Sequence, residues 1–93
     1  MDKDRIKATI REIARGGYTV PRAHCKERMK ERNVTIQDLF HVLFWGEIES
    51  IESDNQHNNL KCTLNGTDID GEKLTVQVAV QEDDFTLFCI TVY

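Results

Sequence analysis

A short charged segment near the N-terminus contains the residue types most suited to chemistry. His24, Arg28 and Arg32 recur at intervals of four residues, which places them on one flank of a helix. Arginines at this spacing repel each other slightly, but their guanidinium groups match the geometry of phosphate oxygens. A histidine beside them can transfer a proton near neutral pH. The pattern predicts a phosphate or proton-transfer site; the alternative is that Glu27 and Glu31 neutralise the arginines as surface ion pairs.

A second set of candidates lies in the later half, where apolar and polar residues alternate. If the apolar residues of the third strand, such as Val76, face inward, the polar ones face outward and form a binding surface. In the last strand we expect Phe88, Ile90 and Val92 to be inward. The outward set is Lys61, Thr63, Thr75, Gln77 and Ala79, followed in the last strand by Phe85, Leu87, Cys89, Thr91 and Tyr93. Tyrosine can stack on a base or donate a proton, although an ordinary half-exposed sheet face would show the same alternation.

Charge is divided unevenly along the 93 residues. Residues 1–32 contain ten of the twelve Lys and Arg residues against five acids, a charge of +5, whereas residues 33–93 contain two against eleven, a charge of −9. Together they give the net charge of −4. Net acidity alone disfavours an anionic partner, but a polyanion responds to a local basic patch, so the basic segment keeps an RNA partner open.

Apolar residues recur at helical spacing in three segments. They predict helices over residues 3–15, 22–32 and 35–45, the first ended by a Gly-Gly pair. Pro21 is expected to open the second helix, and Asp38 completes a capping box at the start of the third. The residues expected to be buried are Ile6, Ile10 and Ile13, then Cys25 and Met29, and then Ile36, Leu39, Phe40 and Leu43.

The period changes to two from Glu47 onward, which predicts strands. Asp70-Gly71 is a strong hairpin signal, and an acidic turn at residues 82–84 separates the last two strands. Residues 53–59 are polar and predict a loop. Helices followed by strands indicate a single α+β domain over residues 1–93, with the N-terminal helices packed on one face of a roughly four-stranded antiparallel sheet.

Several classes of protein are disfavoured. Cys25, Cys62 and Cys89 are odd in number and far apart, so we expect reduced thiols in a cytoplasmic protein and no metal site. The longest apolar run contains His41, so no membrane span is expected. The N-terminal segment from Met1 to Arg5 is charged and leads into no apolar stretch, so no secretory signal is expected. No phosphate-binding glycine loop occurs, and no cofactor is expected. The third helix has no Arg or Lys to contact bases, so direct DNA contact is not expected.

One segment resembles a known family. His24 to Thr35 is similar to the H-x-x-x-R-M-x-E-R-x-(I/V)-(S/T) signature of domain of unknown function 4258. The resemblance continues through Gly46-Glu47-Ile48 and Asp70-Gly71 and ends in the terminal Thr-Val-Tyr, so it covers residues 18–93 and leaves residues 1–17 as an N-terminal helix. Proteins of this layout resemble RelE-like and MqsR-like toxins, small α+β ribonucleases with a RelE/barnase-like fold.

That resemblance implies an mRNA-cleaving protein neutralised by a small antitoxin protein. The hypothesis is metal-independent RNA cleavage in which His24, Arg28 and Tyr93 are catalytic. Lys61, Gln77 and Tyr93 supply the residue types of the MqsR-like Lys–Gln–Tyr set at a different spacing. The residues expected to bind RNA or phosphate are Arg22, Arg32, Lys61, Gln77 and Thr91.

Two alternatives of other classes remain. In the first, the same fold is a non-catalytic module whose basic half binds RNA or an acidic protein. In the second, the motif is a folding signature: His24 is a hydrogen-bonded structural histidine and Met29 a core residue. The oligomeric state is open in every case.

Overall fold

The structure, a computed structural model, describes residues 2–54 and 59–93. Its fold is α+β, as predicted, with three helices and a five-stranded mixed sheet. The elements are α1 (Lys3–Gly16), β1 (Tyr18–Pro21), α2 (Ala23–Arg32), α3 (Ile36–Trp45), β2 (Glu47–Asp54), β3 (Asn59–Thr67), β4 (Lys73–Gln81) and β5 (Thr86–Val92).

Side-chain caps fix where the helices begin. The Asp2 carboxylate accepts hydrogen bonds from the first backbone N–H groups of α1. Thr35 and Asp38 form the expected capping box at the start of α3. Helix α2 ends at Asn33, whose φ of 61° is left-handed, a conformation that asparagine tolerates. The predicted ends of all three helices are therefore close to those observed.

Gly17, which follows α1, is required by a close approach. A Cβ atom there would lie 2.3 Å from the Phe85 carbonyl oxygen and 2.6 Å from a Phe85 ring carbon. We expect Gly17→Ala to destabilise the fold by about 1–3 kcal/mol, because backbone atoms must move to accept the methyl group. Gly16→Ala is the matched control, since its Cβ would meet the Phe85 ring at an ordinary 3.7 Å. Thermal unfolding of both variants tests this, and equal melting temperatures would contradict it.

The strand order of the sheet is β1-β5-β4-β3-β2. β2 to β5 form an antiparallel meander, and β1 adds to β5 in parallel. The prediction of four strands is therefore wrong by one. Pro21 lies at the end of β1 rather than opening α2, whose N-cap is Arg22. Proline is tolerated there because β1 is an edge strand, where its missing N–H breaks no ladder hydrogen bond.

The two hairpins around β4 agree with the sequence pattern. Gly71 has a φ of 91° in the β3–β4 turn, a conformation that favours glycine. The loop predicted over residues 53–59 is too long, because β2 extends to Asp54 and β3 begins at Asn59. The remaining positions, 55–58, lie outside the described residues.

One hydrophobic core joins all three helices to a single face of the sheet. It includes Ile10 of α1, Met29 of α2 and Leu39 of α3, together with alternate residues of β3, β4 and β5. The prediction of which α3 residues are buried is partly wrong, because Val42 is buried and Ile36 is exposed. Helices packed on one face, as predicted, leave the other face to solvent.

The orientation predicted for β5 is wrong for Leu87, Phe88 and Cys89 and right for the last residues of the strand. Leu87 and Cys89 are fully buried against the helices, and Phe88 pairs with Ala79 on the opposite face. A bulge near Ile90 then shifts the alternation, so that Val92 is again buried. Thr91 and Tyr93 point outward as predicted.

We call the uncovered side of the sheet the open face. Residues paired in register share a face, and this assigns its members on each strand. They include Tyr18 and Val20 of β1, Thr86, Phe88 and Thr91 of β5 with the following Tyr93, Thr75, Gln77, Ala79 and Gln81 of β4, Lys61, Thr63 and Asn65 of β3, and Ser50 and Glu52 of β2.

Candidate functional site

The predicted basic flank is present on α2. Cys25 and Met29 are buried, and α2 packs mainly against β5. His24 and Arg32 are exposed, and Arg28 is half-buried between them. An exposed His24 does not fit the hydrogen-bonded structural histidine of the third hypothesis.

The cations of α2 do not form the surface pairs that the alternative interpretation requires. Among the described residues, the ion pairs are Arg5 with Glu82 and Lys7 with Glu47, both from α1. Glu27 thus does not pair with the arginines of its own helix. The basic side chains of α2 are available to an anionic partner, and those of α1 are partly neutralised by Glu47 of β2 and by Glu82 in the turn after β4.

Arg22 connects α2 to the open face. Its backbone N–H donates to the Cys89 carbonyl oxygen at 3.0 Å, which continues the β1–β5 ladder. Its guanidinium carbon lies 4.8 Å from the centre of the Phe88 ring, a cation–π contact. Arg22 is therefore the predicted phosphate-binding residue that the α2 segment contributes to the open face.

Besides Arg22, the open face brings together four of the predicted site residues, namely Lys61, Gln77, Thr91 and Tyr93. Gln77 pairs in register with Thr91, and Lys61 pairs with Ala79, two residues farther along β4. Tyr93 exchanges two backbone hydrogen bonds with Thr75. Lys61, Gln77 and Tyr93 therefore lie on a diagonal across three adjacent strands, within reach of a common ligand.

Small residues form the floor of this face. Thr63, Thr75 and Ala79 are buried although no helix covers them, because longer side chains stand around them. The Gln77 side-chain amide donates to the Thr63 hydroxyl at 3.4 Å, and the Thr75 hydroxyl donates to the side-chain oxygen of Asn65 at 2.9 Å. These contacts orient the polar groups before any ligand arrives.

The predicted catalytic set is divided by this arrangement. His24 and Arg28 lie on α2, which packs on the covered face, whereas the side chain of Tyr93 is on the open face. The chain therefore offers two polar surfaces: the basic flank of α2, and the open face with Lys61 and Tyr93.

The sequence missed the aromatic part of the open face. Tyr18, Val20 and Phe88 lie side by side on β1 and β5. Tyr18 is 71% exposed. The alternation of Tyr18 with Val20 was a signal for a strand, but with four residues and a proline it was too short to be convincing.

A buried carboxylate joins α3 to the β3–β4 hairpin. Asp38 accepts hydrogen bonds from the Thr35 N–H and hydroxyl and from the Ile69 N–H at 2.9–3.1 Å. These hydrogen bonds lower the pKa of Asp38; the bond from the Thr35 backbone N–H has the largest effect and the bond from the Ile69 N–H the next largest. Nearby, His41 Nδ1 lies 2.7 Å from the Thr67 carbonyl oxygen. These groups hold the hairpin in place and are not exposed as a site.

The three thiols are free and buried. Burial raises the pKa of Cys62 to about 11 and that of Cys89 to about 12, and it also raises the pKa of Cys25. Burial keeps all three side chains protonated near neutral pH and out of contact with solvent, so none of them is suited to nucleophilic catalysis.

We expect the native protein to resist thiol labelling at pH 8 and to label at all three cysteines in denaturant. Iodoacetamide labelling followed by mass spectrometry measures this. Rapid labelling of any cysteine in the folded protein would contradict the burial described here.

Within the described part of the chain, no group of three or more His, Cys, Asp and Glu side chains is placed to bind a metal ion. No helix there is both long and apolar enough to span a membrane.

The family described as Domain of unknown function (DUF4258) matches residues 22–93. The chain belongs to this family. The match begins at Arg22, so the DUF4258 region contains α2, α3 and the β2–β5 meander, and α1 and β1 precede it. No curated protein and no solved structure matches the chain.

Proposed function

We propose that this DUF4258 protein is a metal-independent endoribonuclease of the toxin type, and that RNA is cleaved on the open face. The observation that carries the proposal is the position of Lys61, Gln77 and Tyr93 on one uncovered face of three adjacent strands. These residues offer a cation that can stabilise the charge on the phosphorane, an amide that can hold the phosphate and a phenol that can donate a proton.

The reaction would be attack of a ribose 2′-oxygen on the adjacent phosphorus. A P–O bond to the 5′-oxygen breaks as the new bond forms, which gives a 2′,3′-cyclic phosphate and a free 5′-hydroxyl. The Tyr93 hydroxyl donates a proton to the departing oxygen, and the proton of the 2′-hydroxyl passes to water. The Lys61 ammonium stabilises the charge that develops on the phosphorane, while Gln77 and Thr91 hold the phosphate.

The layout of the fold supports the same proposal. Helices on one face of an antiparallel meander resemble the RelE/barnase-like and MqsR-like arrangement. Lys61, Gln77 and Tyr93 follow the Lys–Gln–Tyr order on β3, β4 and the end of β5. The likeness extends the proposal to an mRNA substrate, a small antitoxin protein as partner and a cytoplasmic location.

The basic flank of α2 has a separate place in this proposal. His24, Arg28 and Arg32 bind phosphates outside the scissile bond or an acidic surface of a partner protein. They act on affinity rather than on the chemical step, because α2 packs on the other side of the sheet.

A non-catalytic RNA- or protein-binding module of the same fold is the second candidate. The observation that favours it is the separation of His24 and Arg28 from Tyr93, which leaves the open face without a histidine among the residues described. Such a module would bind RNA through the cations of α2 and release it intact.

Incubation of the purified protein with single-stranded RNA in EDTA distinguishes the two candidates. Cleavage that leaves cyclic phosphate and 5′-hydroxyl ends, identified by mass spectrometry, supports the endoribonuclease. Binding without any product supports the module. If RNA is cleaved in buffer without EDTA but stays intact in buffer with EDTA, the metal-independent mechanism is overturned.

A further inference from the structure

The open face has an aromatic half that the reaction above does not use. Tyr18 and Val20 of β1 are exposed, and Phe88 of β5 lies beside Val20. The Arg22 guanidinium covers part of the Phe88 ring. We call Tyr18, Val20, Arg22 and Phe88 the aromatic patch.

We propose that the aromatic patch stacks an unpaired base, so that the substrate is single-stranded RNA. The proposal rests on the endoribonuclease proposed above and assigns its substrate class. Sequence-tolerant binding of single strands combines aromatic surfaces, on which bases stack, with cations that contact the backbone. Tyr18 supplies an exposed ring, and Arg22 supplies a guanidinium that can contact a phosphate while it covers Phe88.

Position links the patch to the proposed reaction centre. Phe88 and Thr91 lie on the same strand and the same face, three residues apart, which corresponds to about 10 Å. A nucleotide next to the scissile phosphate can therefore reach the patch. A base paired within a duplex cannot, because its faces are already stacked on its neighbours.

The positive charges of the open face are consistent with an RNA strand that runs across it from the aromatic patch to the proposed reaction centre. Arg22 stands at the β1 edge and Lys61 near the opposite edge, with Glu52 of β2 paired in register beyond Lys61. A strand of RNA that runs from Arg22 toward Lys61 meets cations at both ends of its path. Glu52 lies beside Lys61, at the far end of that path.

Size argues against a protein as the occupant. A specific protein interface covers about 800 Å² on each partner. Two aromatic rings and one valine, partly covered by Arg22, provide much less area than that. A single base is matched in size to one exposed tyrosine ring.

The test uses Tyr18 as a reporter position in the full chain. Trp45 is the only tryptophan and lies exposed on α3. In a Trp45→Phe/Tyr18→Trp protein, fluorescence then reports on the patch alone. The probe is a 2′-O-methyl RNA oligonucleotide, which lacks the attacking hydroxyl and cannot be cleaved. We expect the single strand to quench the fluorescence and the matching duplex to leave it unchanged.

Wild-type protein is the matched control, because Trp45 is distant in sequence and lies on a helix of the covered face. Its fluorescence should change little on binding. We expect Tyr18→Ala to raise the Kd for the single strand about ten-fold or more, and Tyr18→Phe to keep the wild-type value. Tyr18 is largely exposed, so the variants should fold, and circular dichroism verifies this.

Equal Kd values for Tyr18→Ala and wild type would overturn the proposal. The proposal would also be overturned if light scattering shows a dimer that depends on Tyr18 and the fluorescence does not respond to RNA. Stacking on the patch without cleavage of unmodified RNA would overturn the endoribonuclease and leave this site standing. If the Tyr18→Ala variant cleaves RNA with the wild-type KM, the stacking site is overturned and the endoribonuclease stands.

Discussion

Tyr93→Phe is expected to lower the rate of RNA cleavage by about 10²–10⁴-fold, the usual contribution of a positioned proton donor. The change removes one hydroxyl from a side chain that is 47% exposed at the end of β5, and it keeps the ring. The backbone hydrogen bonds between residue 93 and Thr75 do not depend on the side chain, so the fold should be retained. Single-turnover cleavage at saturating enzyme measures the chemical step directly.

Trp45→Phe is the matched control, because it also changes one exposed aromatic residue but lies on α3, away from the open face. It should cleave at the wild-type rate. His24→Ala then separates the two surfaces of the chain. If His24→Ala abolishes cleavage and Tyr93→Phe does not, the chemistry takes place at α2 and the open face is not the active site.

Asp38→Ala is expected to destabilise the protein by about 2–4 kcal/mol. The Asp38 side chain is only 6% exposed, and it accepts hydrogen bonds from both Thr35 and Ile69. Alanine removes the helix cap and leaves the backbone N–H of Ile69 without this acceptor. Chemical denaturation of Asp38→Ala measures the loss. Gln37→Ala, at the exposed neighbouring position of α3, should change stability little.

The contribution of Asp38 should also depend on pH. Its pKa is lower in the folded protein than the ordinary value of 3.8, because the backbone N–H groups of Thr35 and Ile69 stabilise the carboxylate. A carboxyl group whose pKa falls on folding adds stability above its unfolded pKa, and this stability is lost as the pH falls through the folded value. The difference between wild type and Asp38→Ala should therefore be constant from pH 7 to about pH 5 and shrink below pH 3.8. A difference that grows in acid would contradict the assignment.

The helices were predictable because the signals that define them are local. The spacing of Ile6, Ile10 and Ile13 indicates α1, and Thr35 with Asp38 marks the start of α3. Strand β1 was not predictable in the same way. Its four residues carry little pattern, and their partner is β5, at the other end of the sequence. Nothing local distinguishes such a strand from a linker.

The two halves of the open face differ in how far they could be predicted. Lys61 and Gln77 alternate with buried aliphatic residues, and this period of two gave their orientation correctly. β5 carries apolar residues on both faces, with Leu87 and Cys89 on the covered face and Phe88 on the open face, so its sequence does not show which residues point inward. The bulge near Ile90 then breaks the period, and Phe88 was assigned to the wrong side.

The parallel pairing of β1 with β5 has a consequence for how the chain folds. Tyr18 pairs with Thr86, 68 residues later in the sequence, whereas β2 to β5 each pair with the strand that follows or precedes them. Contacts of such long range close late and slow the folding rate. We expect the pairing of β1 with β5 to form late, so that the edge of β5 is bare before β1 docks. Until β1 docks, that edge can pair with another chain, so the slowest folding step is also the one most exposed to aggregation.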